Sequence, residues 1–151
     1  MREEDRTYVA KVKVSLVKEG TVNERIVFDS QHDAANLQFI RDELLASDRE
    51  MLICLHLNIK HAVISYEIVS VGSLNFSVVH PRECFKGALL ANAAAIIVYH
   101  NHPSGDETPS AEDVAVTKRL VDAGKILGIE VLDHIIFGDS RFVSLQERGL
   151  M

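Results

Sequence analysis

From residue 9 to 17 the chain reads "VAKVKVSLV". Val12, Val14 and Leu16 fall on one side and Lys11 and Lys13 on the other, an alternation that predicts a half-buried strand. The turn-rich "KEGTVNE" follows, and "RIVF" at 25–28 is placed to pair back as a hairpin. Over 33–46, "DAANLQFIRDELLA" sets Leu37, Ile40 and Leu44 at helical spacing. "MLICLHLNI" at 51–59 and "AVISYEIVSVG" at 62–72 read as strands joined by a turn at "KH". "HPRECFKGALLANA" suits a helix, with Pro81 in the first turn, where its missing N–H does no harm. "AAIIVY" is a short, fully apolar strand that ends directly at His100. "SAEDVAVTKRLVDAGKILG" predicts a helix over 110–128, with Val114, Thr117, Leu120, Val121 and Gly124 on one stripe and Gly128 as its stop. "IEVLDHIIFG" and "RFVSL" close the chain as two more strands. Hairpins with intervening helices predict a single α/β domain whose sheet is mixed or largely antiparallel.

The length of 151 residues fits one domain with a full core. Aromatic residues make up only 6% and Trp is absent, so the core is expected to be aliphatic. A net charge of −6 argues against general phosphate binding, because affinity for nucleic acid comes mainly from Lys and Arg. Weak or no direct nucleic-acid binding is therefore expected. Cys54 and Cys84 do not make a disulfide framework in a chain of this size and read as reduced thiols, which suits the cytoplasm. The first twenty residues lack the apolar core of a signal peptide, and no apolar run spans a membrane.

The densest chemistry lies in "YHNHPSGDETPSAED". His100 leaves the end of a buried strand and His102 is two residues on. In an extended chain both rings point to the same side. Asp113 falls in the first turn of the next helix, and Ser110, three residues before it, is a natural cap; the spacing is that of a capping box. Pro103, Gly105 and Pro109 let the loop between fold back tightly and bring Asp113 toward the histidines. Two imidazoles and a carboxylate suit zinc in an open site, where a bound water is acidified to a pKa of roughly 7. Singly, each signal has a plainer reading: a histidine at a strand end, or a serine that only caps a helix. Together they are far more specific. The letters HNH at 100–102 also spell a nuclease class, but those enzymes spread their residues over a longer ββα unit, so the likeness is of spelling only.

The spacing of these residues resembles the JAMM motif of MPN-domain metallopeptidases: His–x–His–Pro, then a serine, then an aspartate three residues further. The flanks "GSLNFSVVHPRECFKGALLANAAAIIVYHNHPSGD" and "LDHIIFGDSRFVSL" are similar to the RadC-like branch of bacterial JAMM proteins. The likeness covers about residues 32–151, leaving 1–31 as an N-terminal strand or hairpin extension. It implies a single MPN/JAB-like domain of the cytidine deaminase-like type, with a mixed, largely antiparallel sheet flanked by helices. It also implies the short form, without the upstream helix-hairpin-helix region of longer members.

By that resemblance His100, His102 and Asp113 are zinc ligands and Ser110 is the motif serine that supports the oxyanion. The motif also includes a glutamate on an earlier strand, and "YEIVSVGSLN" offers Glu67 as the general base. Alternation does not settle which face Glu67 takes, and Glu83, Glu107 and Glu112 are rivals. Glu112 adjoins Asp113 on the helix and is turned about 100° from it. His80, Asn75, Asn101, Asp133 and His134 belong to the resemblance too; His134 could orient a ligand, although satisfying turns and strand ends accounts for all five. The implied activity is zinc-dependent hydrolysis of a peptide or isopeptide bond in a peptide or protein substrate. The rivals are a zinc-binding MPN scaffold or DNA-repair accessory protein without turnover, and a zinc hydrolase acting on a non-peptide amide. Oligomeric state is left open by the residues.

Overall fold

The structure is a computed structural model that describes residues 9–21, 31–72 and 79–151. Its elements are α1 (Gln31–Ala35), α2 (Gln38–Leu45), β1 (Glu50–Leu57), β2 (Val63–Gly72), α3 (Pro81–Leu90), β3 (Ala95–Asn101), α4 (Ala111–Leu127), β4 (Glu130–Phe137) and β5 (Phe142–Ser144). The strands form one five-stranded sheet in the order β2-β1-β3-β4-β5. Only β3 and β4 run parallel, joined by the α4 crossover; the other neighbours are antiparallel. This is the mixed, mostly antiparallel α/β sheet expected from the pattern.

Alternation along the central strands sends residues to two cores. Ile53, Leu55, Leu57, Ile97, Tyr99, Ile135 and Phe137 pack with Ala34, Leu37, Ile40 and Leu44 of the α1–α2 side. Leu52, Cys54, Ile96 and Val98 pack with Cys84, Phe85 and Ala88 of α3 and Val116 and Leu120 of α4. β1 and β3 are covered on both faces, which is why their sequences are almost continuously apolar. Position 100 is in phase with Ile96 and Val98, so its side chain emerges on the α3–α4 side.

Two expectations differ. The single helix over 33–46 is divided into α1 and α2. Asn36, which favours turns over helix interiors, closes a turn from its N–H to the Asp33 carbonyl, and Leu37 adopts an extended conformation (ψ 108°) with its side chain in the core. The strand expected over 9–17 is not formed. Residues 9–21 carry no regular structure, and Val9, Val12, Val14, Leu16 and Val17 are exposed. Alternation makes a segment ready for a ladder but does not supply the neighbouring strand; the anticipated partner at 25–28 lies outside the described residues. No helix among the described residues is long and apolar enough to cross a membrane.

α4 ends where the pattern placed its stop. Gly128 takes φ 72°, a left-handed cap. One turn earlier, a Cβ on Gly124 would collide with the Ile129 carbonyl and come within 3.3 Å of Phe85 and Val131. Gly124→Ala is thus expected to destabilise the protein by about 1–3 kcal/mol of overpacking, although the same change on an exposed helix stabilises by about 1 kcal/mol. A urea titration checks this; a raised midpoint would show that α4 can move off Ile129.

Candidate metal centre

The site forms where β3 ends and α4 begins. His100 lies opposite Leu52 on β1 and Ile136 on β4, fully buried in the middle of the sheet. The chain stays extended through Asn101, and the His102 N–H donates to the Phe137 carbonyl at 2.8 Å. That holds both rings on one side. The loop then turns back: Gly105 sits at φ 87°, its N–H donating to the His102 carbonyl at 2.9 Å and its carbonyl accepting from Asp139 at 3.1 Å. α4 opens with a complete capping box. Ser110 Oγ accepts from the Asp113 N–H at 3.1 Å, and Asp113 Oδ2 accepts from the Ser110 N–H at 2.8 Å. The cap fixes the aspartate carboxylate at the helix start.

Three side chains converge. The two Nε2 atoms of His100 and His102 are 2.9 Å apart. Asp113 Oδ1 is 3.3 Å from His100 Nε2, and Oδ2 is 3.2 Å from His102 Nε2. One donor atom from each of the three lies within 4.8 Å of the others, a spacing that could hold a metal ion. The ring of His102 is oriented by its far side. Nδ1 is 2.7 Å from the Asp106 carbonyl, which can only accept, so Nδ1 carries a proton and Nε2 faces the cluster, where Asp113 raises the pKa of the ring. Burial holds the His100 imidazole far below its usual range, reinforced by His134, so the ring is neutral as a ligand must be. Burial pushes the Asp113 carboxyl up, but His102, His100 and the Ser110 donors outweigh it and hold the group low and ionised. Two imidazole nitrogens and a carboxylate oxygen are the donor set of an open zinc site. The residues present therefore fit a metal of that kind.

The acid beside this cluster is Glu50. It opens β1 in phase with Leu52 and Cys54, on the face that carries His100. Its Oε2 is buried and has no hydrogen-bond partner among the described residues. Burial raises its pKa, His102 lowers it and Asp113 raises it again, so the carboxyl is within electrostatic reach of two of the three clustered residues. Asn101 fixes its place. The Asn101 Oδ1 accepts from the Met51 N–H at 2.7 Å and its Nδ2 donates to the Arg49 carbonyl at 3.0 Å. One amide thus grips the backbone on both sides of Glu50 and ties the start of β1 to the end of β3.

Glu67 is not brought to the cluster. It pairs with Cys54 on β1, which in turn faces Val98 on β3. That puts it two strands, about 9.6 Å, across the sheet and two residues, about 6.6 Å, along it from His100. A Cβ on Gly87 of α3 would strike its carboxylate, and His56 lies beside the same point. Burial raises its pKa, Lys86 lowers it and Glu83 raises it; none of the clustered residues contributes. Glu83 pairs with Lys86 at 3.3 Å on the α3 surface. Glu67, the general base implied by the resemblance, thus lies apart from the cluster, and the acid that feels His102 and Asp113 is Glu50 on β1.

The remaining residues divide. His80 caps α3, its Nδ1 accepting from the Arg82 N–H at 3.2 Å. Asp133 accepts from the Ser144 hydroxyl at 2.6 Å and from the backbone of His134 and Gln146, tying β4 to the end of the chain. His134 is fully buried, with Nε2 2.6 Å from His100 Nδ1. Asn75 lies outside the described residues.

A family model described as the RadC-like JAB domain matches residues 27–150. A UPF0758 protein of Desulfitobacterium hafniense is 54% identical over 127 residues, 84% of this chain and 55% of that protein. A UPF0758 protein of Moorella thermoacetica is 56% identical over 127 residues, with the same shares. One from Bacillus cereus is 57% identical over 112 residues, 74% of this chain and 50% of its own length. The chain thus spans about half the length of the curated relatives it matches.

Proposed function

The chain belongs to the family of RadC-like JAB domains, and from that premise we propose that it is a zinc-dependent hydrolase of amide bonds, most simply a JAMM-type metallopeptidase acting on a peptide or isopeptide bond. The observation that carries the reading is the joint placement at one strand end of His100, His102, Asp113 and a partly buried Glu50 whose Oε2 has no hydrogen-bond partner among the described residues.

His100, His102 and Asp113 would hold the zinc, which when bound supplies Lewis acidity to an amide carbonyl and to water. Glu50 serves as general base. Its raised pKa brings it nearer the pH at which a carboxylate both takes a proton from water and returns it to a leaving amine. Asn101 keeps that carboxylate in position through its grip on Arg49 and Met51. Ser110 Oγ accepts from the Asp113 N–H, which leaves its O–H to donate to a carbonyl oxygen gaining charge. The substrate is a peptide or protein rather than nucleic acid, in keeping with the net charge of −6.

The test pairs metal analysis of the purified protein with a screen of peptide and isopeptide substrates. About one zinc per chain and chelator-sensitive cleavage are expected. Stoichiometric zinc with no cleavage of any amide would favour a binding scaffold. Tight, salt-resistant duplex binding would favour a role on DNA.

A further inference from the structure

Behind the cluster, three short contacts run in series. Thr117 Oγ1 is 2.6 Å from the Asp113 carbonyl oxygen. The same Oγ1 is 2.6 Å from His134 Nδ1. His134 Nε2 is 2.6 Å from His100 Nδ1. His100, Asp113, Thr117 and His134 are all buried, at 0–2% exposure. At such separations each contact requires one hydrogen between its two heavy atoms.

The hydrogens can be assigned by counting. A carbonyl oxygen only accepts, and the threonine hydroxyl has a single proton, so that proton lies on the Asp113 carbonyl. Thr117 Oγ1 must then accept, and His134 Nδ1 carries the hydrogen. A fully buried imidazole is held neutral by the cost of desolvating its charge, so it has one N–H and its Nε2 is bare. His100 Nδ1 must therefore donate to it. The one remaining nitrogen, His100 Nε2, keeps its lone pair and faces His102 and Asp113. The chain starts at the backbone of one ligand, Asp113, and ends on the ring of another.

We propose that Thr117 and His134 are positioning residues that lock His100 in its Nδ1–H tautomer and so present its Nε2 to a metal. The inference rests on the metal-site reading above, and concerns residues that touch neither substrate nor metal. The bond to the Asp113 carbonyl is the i−4 back-bond open to any helical threonine; the contact with His134 Nδ1 is what ties this one to the cluster.

The test measures zinc affinity by chelator competition in the wild type, Thr117→Val and Thr117→Ser. Valine keeps the shape and removes the hydroxyl. Affinity should fall about 10- to 100-fold in Thr117→Val, the usual cost of losing an outer partner of a ligand, and serine should restore it. A merely structural role would lower the melting temperature of the zinc-free protein and leave zinc affinity unmoved. Long-range ¹H–¹⁵N correlation spectra of the zinc-free wild type provide an independent arm, with Nδ1–H expected on both His100 and His134. Unchanged zinc affinity in Thr117→Val, or a proton on His100 Nε2, overturns the proposal. If the wild type holds no zinc, the functional reading fails, and the spectra alone decide the relay.

Discussion

Glu50→Gln is expected to lower hydrolysis of any peptide or isopeptide substrate the wild type cleaves by at least about 10² to 10⁴-fold, the usual contribution of a positioned base. The amide fills the space of the carboxylate but cannot take a proton. Zinc content should be unchanged, because Glu50 is not one of the three converging donors. The Asn101 clamp acts on the backbone of Arg49 and Met51, so strand β1 should keep its place in the variant. Glu67→Gln is the matched control. It lies against Gly87 of α3, on the strand beyond β1, and its loss should leave the rate constant unchanged. Turnover rates and metal analysis of both variants check this. A dead Glu67→Gln with an active Glu50→Gln would reverse the assignment of the base.

His100→Ala is expected to remove the metal outright. Two protein donors remain, and open zinc sites use three. The loss should exceed the about 10- to 100-fold cost of removing an outer partner. Asp113→Ala should do the same, but for two reasons at once. Its carboxylate also accepts from the Ser110 N–H, so alanine breaks the capping box and weakens the start of α4. Comparing zinc stoichiometry with urea stability separates the two: His100→Ala has no helix cap to lose. Full metal occupancy in both variants would remove these residues from the centre.

The centre was legible because its parts are close in sequence. His100, His102, Ser110 and Asp113 span one strand end, one loop and one cap, and each local rule points to the same geometry. The base was not. Glu50 stands in "SDRE", which reads as charged loop, and only the antiparallel register Leu52↔His100 carries it to the centre. Strand pairing at that separation leaves no local trace. A weaker signal was present: Glu50 continues the alternation of Leu52 and Cys54, the inward phase of a strand buried on both faces. Glu67 was the more conspicuous acid because it interrupts an apolar run, yet its burial is against α3. The same distinction explains the fold. Strands of the central sheet follow from their own pattern, whereas residues 9–17 have the alternation without a neighbouring strand among the described residues. The divided helix turned on Asn36 and Leu37, where burying one leucine overrode helical spacing.

X-ray absorption at the zinc edge of the purified wild-type protein tests the central claim most directly. The account predicts about one zinc per chain in a shell of nitrogen and oxygen only, with the outer scattering of two imidazoles, lost in His100→Ala. A shell containing sulfur would place the metal on the buried thiols of Cys54 or Cys84 and contradict the account, as would a protein that binds no zinc at all.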